Sequence, residues 1–105
     1  MGGKCDVYII EVAGDYRVRP AVAMIDGATR KLNIRNLTGH TAFLVFPRNF
    51  LINNQEVISV TGNIPVPANL AQGLDGHYTY SVVISKNGVL VAAQGESAPS
   101  VIVDP

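Results

Sequence analysis

Along most of the chain, apolar and polar positions follow the two-residue period of β-strands rather than the 3.6-residue period of helices. Residues 31–36 (KLNIRN) alternate most cleanly. Leu32 and Ile34 fall on one side and Lys31, Asn33 and Arg35 on the other, as in a strand with one buried face. Residues 5–12 (CDVYIIEV) and 16–25 (YRVRPAVAMI) are rich in Val, Ile and Tyr, and Gly14-Asp15 between them reads as a turn. Pro20 lacks the N–H that a ladder needs, so it marks an edge or a bulge. After a turn at Leu37-Thr38-Gly39-His40, residues 41–46 (TAFLVF) form an apolar strand ended by Pro47.

Residues 56–61 (EVISVT) give another short strand, and Ile64-Pro65-Val66-Pro67 is extended because each proline restricts itself and its predecessor. Ala68 to Gln72 has helical character, worth a single turn closed by Gly73. Residues 77–85 (HYTYSVVIS) form a long strand. Asn87-Gly88 suits the positive φ angles of a type I′ turn, so 77–85 and 89–94 are expected to form a hairpin. A last strand covers residues 100–103. About seven short strands with polar connections and no long helix indicate one all-β domain over residues 1–105, a β-sandwich.

Composition supports that reading and narrows the function. Of 105 residues, 48% are hydrophobic and 15% charged, enough for a core and too apolar for disorder. The formal net charge is zero, which argues against a nucleic-acid binder that works by neutralising phosphates. A lone cysteine makes no internal disulfide, and no apolar run reaches the roughly 18 residues of a membrane helix. Met1-Gly2-Gly3-Lys4-Cys5 lacks the layout of a secretory signal, which favours the cytoplasm, or the periplasm or exterior if a leader has been trimmed. Gly2 near Cys5 suggests a lipid anchor, but Asp6 stands where that pattern needs Ser or Thr. A small soluble domain is expected.

The segment Leu74-Asp75-Gly76-His77-Tyr78-Thr79-Tyr80-Ser81-Val82 carries two signals. Asp-x-x-Tyr entering a strand is the setting of a tyrosine corner, in which a buried phenol hydrogen-bonds back to the backbone and pins a Greek-key crossover. Gly76-x-Tyr78-x-Tyr80-x-Val82 also resembles the Gly-x-Tyr-x-Phe-x-Cys stretch of cupredoxins, the blue-copper family. Ile34-x-Asn36, a turn and the apolar strand Phe43 to Phe46 look like the cupredoxin segment that leads past its first histidine ligand. The run Ala93-Gln94-Gly95-Glu96-Ser97-Ala98-Pro99-Ser100-Val101-Ile102-Val103-Asp104 is similar to the ending of small bacterial cupredoxin-like proteins of unknown function. The resemblance spans about two-thirds of the chain, from Asn36 to Asp104, and implies a cupredoxin-like sandwich, with an immunoglobulin-like one as second choice.

A blue-copper centre needs a thiolate and two imidazoles, usually with an axial methionine. The resemblance puts Val82 at the thiolate position, and Lys86-Asn87-Gly88 stands where the family places histidine and methionine. Of the family's ligands only His40 is retained. No cofactor is therefore expected, and the domain is read as a non-catalytic protein-binding or assembly module without a type 1 copper site. Its partner is another protein or a second copy; no membrane is implied. The alternative is a metal-binding electron carrier with an atypical His40, His77 and Cys5 ligand set. A third reading makes His77, oriented by Asp75, a general base for Ser81, Ser97 or Thr79.

Charge is unevenly spread. Residues 1–50 hold seven of the eight Lys and Arg side chains and four of the eight acids. Arg17 and Arg19, like Lys31 and Arg35, are spaced to share a strand face, and with Arg48 and Phe50 they make the candidate interaction surface. The plainer reading is a solvated sheet whose cations protect its edges. Residues 48–55 (RNFLINNQ) either tuck Phe50, Leu51 and Ile52 under the sandwich or expose them for contact. Asn36-Leu37-Thr38 matches a glycosylation acceptor and is read as a turn.

Overall fold

The protein is seen in a computed structural model that describes residues 5–26, 29–93 and 99–104. Alternation becomes strands as expected: β1 (Val7–Val12), β2 (Asp15–Arg19), β3 (Val22–Asp26), β4 (Lys31–Asn36), β5 (Thr41–Val45), β6 (Val57–Val60), β7 (Val66–Asn69), β8 (Gly76–Thr79), β9 (Ser81–Lys86), β10 (Val89–Ala92) and β11 (Ser100–Asp104). They form three sheets. Sheet I has the order β2-β1-β4-β7, sheet II β3-β11-β8 and sheet III β10-β9-β5-β6. Two neighbouring pairs run parallel, β1 with β4 and β3 with β11.

The inward residues of all three sheets meet in a single core. Val7, Ile9, Leu32 and Ile34 of sheet I pack against Ala23, Ile25, Val101 and Val103 of sheet II and Ala42, Leu44, Val82 and Ile84 of sheet III. This is an all-β, sandwich-like domain. The outer faces of the sheets point away from that core.

The strand count exceeds the expected seven or so because single residues hand long strands from one sheet to another. The stretch 16–25 breaks at Pro20, after a cis Arg19–Pro20 peptide, so β2 lies in sheet I and β3 in sheet II. The stretch 77–85 breaks at Tyr80 between sheets II and III. Ala68 to Gln72 is a correction: no helical turn forms there. Ala68 and Asn69 instead extend β7 along β4, with Ala68 opposite Leu32 in the core, and Leu70 bridges to Leu51. The apolar partner decided the matter, since burying Ala68 and Leu70 outweighs the weak propensity of one isolated turn.

Three local expectations hold wholly or in part. Asn87 and Gly88, at φ 52° and 81°, make the turn of the β9–β10 hairpin. The Tyr78 hydroxyl donates to the Asp75 carbonyl at 3.0 Å, the hydrogen bond expected of a tyrosine corner, although the ring is half-buried and the bond exposed rather than buried. Asn36 is the last residue of β4 rather than a turn residue, but its side chain closes the turn that follows and is not an accessible acceptor. Only 2% exposed, it donates from Nδ2 to the carbonyls of His40 and Val60 and accepts from the backbone N–H and hydroxyl of Thr38. Gly2 and the stretch Gln94 to Ala98, Ser97 included, lie outside the described residues.

Tyr80 fills the bend between sheets II and III. Its ring stacks on Phe46 with centroids 5.1 Å apart, and its hydroxyl has no partner among the described residues. Burial pushes the phenol well above the usual tyrosine range. Tyr80→Phe should therefore raise stability by about 1 kcal/mol, because it removes an unpaired buried hydroxyl. The sign with pH follows from linkage: the unfolded phenol ionises near pH 10 while the folded one resists, so stability falls as pH rises past about 10. Urea melts at pH 8 and pH 10.5 check this, with the wild type losing more than the phenylalanine variant.

Candidate functional site

Register places the predicted cations on sheet I. In β2, Tyr16 and Val18 point inward, which turns Arg17 and Arg19 outward; in β4, buried Leu32 and Ile34 turn Lys31 and Arg35 outward. Arg19 pairs with Tyr8 and Tyr8 with Arg35, so two guanidinium-bearing strands flank one phenol in a single row across three strands. The two arginine Cα atoms are about 10 Å apart at the usual strand spacing. The same outer face holds Ile10 opposite Arg17 and Asn69 opposite Lys31.

Two acids share this face, and both are engaged. The Asp15 carboxylate lies 3.8 Å from Arg17, and Asp6 accepts the Asn33 N–H at 2.8 Å. Arg35 donates from Nε to Asn63 at 2.6 Å, which holds its head group over β4 without neutralising it. The Arg19 and Lys31 side chains are exposed and have no partner among the described residues. Arg19, Lys31 and Arg35 thus have no ion-pair partner among the described residues, and with Asp6 still charged the face carries a net of two positive charges.

The other two members of the predicted surface lie elsewhere. Arg48 is exposed in the turn after β5, off the sheet. Phe50 is a correction. It is 1% exposed, stacks on Phe46 at 5.2 Å and meets Tyr78 at 5.0 Å, so its ring belongs to the core and not to a contact surface. Leu51 is buried with it, whereas Ile52 begins a short 3-10 turn (Ile52–Asn54) and is exposed.

The alternative ligand set is not brought together. His40 adjoins Thr41, which pairs with Ser85, while His77 lies on β8 opposite Ile102. Cys5, free and buried, precedes β1 and lies beside the start of β4, whereas His40 follows the end of β4. Among the described residues no three His, Cys, Asp or Glu side chains are grouped so as to hold a metal. Val82, which the blue-copper resemblance aligns with the thiolate, is a core side chain opposite Leu44. A hydrocarbon at one position and a single imidazole at the other do not fit a copper centre. As for His77, it is exposed and has no hydrogen-bonding partner among the described residues, so Asp75 does not orient it there.

Sheet III carries a feature the sequence reading missed. Its inward residues are apolar, as expected, but its outward positions are uncharged on every strand: Thr41, Phe43 and Val45 on β5, Val57 and Ser59 on β6, Ser81, Val83 and Ser85 on β9, Leu90 and Ala92 on β10. One row runs Ala92–Val83–Phe43–Ser59 across all four strands. Leu90 is 66% exposed, Val57 47% and Val45 40%. The outer face of an antiparallel sheet is normally polar, so an uncharged one with exposed aliphatics is unusual. The signal was present in residues 41–46, which are apolar at both parities, but the pairing of β10 with β9 and β6 with β5 was needed to see the whole face.

Comparison with known protein families, with curated proteins and with solved structures yields no match to this chain.

Proposed function

We propose that the protein is a non-catalytic binding module, built on a cupredoxin-like Greek-key sandwich without a type 1 copper centre, that docks an acidic protein segment on the outer face of sheet I. The row Arg19–Tyr8–Arg35, with Lys31 on the same face, carries this reading. A rigid sheet fixes the spacing of the cations, so an extended acidic chain laid across the strands meets them without first ordering the site. Tyr8 and Ile10 add half-buried apolar surface between the charges. Support for the metal-free scaffold comes from Val82, which has no donor atom and faces the core.

The test uses a fluorescent Glu-rich peptide titrated with the full chain at 50 mM and 300 mM salt. Arg19→Glu/Arg35→Glu should weaken binding about tenfold or more, since each rim charge is worth up to about 1 kcal/mol and reversal doubles the change. Binding should also weaken as the salt rises. Equal affinity of wild type and variant, or binding indifferent to salt, would reject the reading. Tighter binding to a DNA duplex than to the peptide would point to phosphate as the ligand instead.

A further inference from the structure

We infer that the anionic group bound between Arg19 and Arg35 is a phosphomonoester, so that the docked protein segment carries a phosphorylated side chain above Tyr8. The inference rests on the acidic-partner reading and narrows it, from any carboxylate-rich chain to a tetrahedral oxyanion of higher charge.

Three donors border one spot on the outer face of sheet I. Register sets Arg19 and Arg35 on either side of Tyr8 in a single row. Their Cα atoms stand about 10 Å apart, so each guanidinium has only about 5 Å to cover to reach the space above the phenol. Asn63 accepts from Nε of Arg35 at 2.6 Å, and both Nη groups of that arginine are left without a partner among the described residues. Arg19 is exposed and equally unengaged there. Tyr8 is half-buried, and its hydroxyl oxygen accepts the Cys5 N–H at 3.3 Å. A phenol oxygen that already accepts keeps its own proton to donate.

Charge and shape of the ligand follow from these donors. A carboxylate has two oxygens and one negative charge, and a single guanidinium fork satisfies both oxygens. The second fork and the phenol proton would then be idle. A phosphomonoester carries about −1.5 to −2 charges at neutral pH and three terminal oxygens, enough to engage both forks and the phenol together. Asp15 is set against Arg17 at 3.8 Å and Asp6 accepts the Asn33 N–H, which leaves the face a net of two positive charges. That is the charge a phosphomonoester dianion balances. Arginine clusters read phosphorylated motifs in proteins by the same chemistry.

The test titrates the full chain with three fluorescent peptides of one acidic sequence, carrying phosphoserine, glutamate or serine at a central position. The phosphoserine peptide should bind at least about tenfold more tightly than the serine peptide and about fivefold more tightly than the glutamate peptide. Arg19→Lys/Arg35→Lys keeps both charges but removes both forks, at outward positions away from the core. It should weaken phosphoserine binding about tenfold and glutamate binding by a smaller factor. Phosphoserine binding no tighter than glutamate binding would overturn the inference and leave the acidic-partner reading standing, whereas failure of all three peptides to bind would remove both. A double lysine variant that keeps its full preference for phosphoserine would also overturn it. So would tighter binding to vesicles containing phosphatidic acid than to the phosphopeptide, since a lipid headgroup would then be the source of the phosphate.

Discussion

Asn36→Ala should cost the fold about 3 kcal/mol and shift the urea midpoint sharply without changing the slope of the transition. The side chain is only 2% exposed and serves four groups at once: it donates to the carbonyls of His40 and Val60 and accepts from the N–H and the hydroxyl of Thr38. Alanine leaves three backbone groups without their partner, and each unsatisfied buried group costs about 1–3 kcal/mol. Partial rescue by the Thr38 hydroxyl, which also bonds the His40 carbonyl, keeps the sum near the lower end. Asn36→Asp should be at least as damaging, because a carboxylate cannot donate to two carbonyls and would be buried as a charge. For a domain of this size 3 kcal/mol corresponds to a fall in Tm of roughly 12–24 °C. A loss below about 1 kcal/mol would mean that the network closing the β4–β5 turn and tying it to β6 is not what holds those strands together.

Phe50→Ala should be of comparable size, about 3–5 kcal/mol, the range for truncating a buried aromatic. The ring contacts Phe46 and Tyr78, and Phe46 in turn stacks on Tyr80, so removal opens a void in an aromatic cluster that joins sheets II and III. The backbone around it is also tied down: Ala71 N–H donates to the Phe50 carbonyl, and Leu51 bridges Leu70. In contrast, Ile52→Ala in the same segment should change stability by less than about 1 kcal/mol, since that side chain is exposed. Chemical denaturation of the two variants side by side tests the assignment of Phe50 to the core. Equal, small effects would return it to the surface.

These two residues show where the sequence was informative and where it was not. Turn chemistry was readable because it is local: Asn87-Gly88, the Asp75–Tyr78 pair and the turn after Asn36 depend on residues close in the chain. Alternation gave most strands and the shared face of Arg17, Arg19, Lys31 and Arg35, since parity alone decides which side a residue takes. The sheet changes at Pro20 and Tyr80 were not readable, because a bend between layers has the same alternation on either side. Nor was the orientation of Phe50, which depends on finding Phe46 and Tyr78 from other strands. The neutral face of sheet III draws Phe43, Ser59, Val83 and Ala92 from four separate segments, so no window along the chain contains it. Helical character at Ala68 to Gln72 misled because a single turn has little stability of its own, and the vacant edge of β4 offered Ala68 a buried place.

The allocation of charged and neutral side chains to different sheets has a consequence for mutagenesis. Sheets I and III share no strand, so Arg19, Lys31 and Arg35 can be reversed in sign without altering any residue of the row Ala92–Val83–Phe43–Ser59, and each surface can be silenced in a chain that keeps the other.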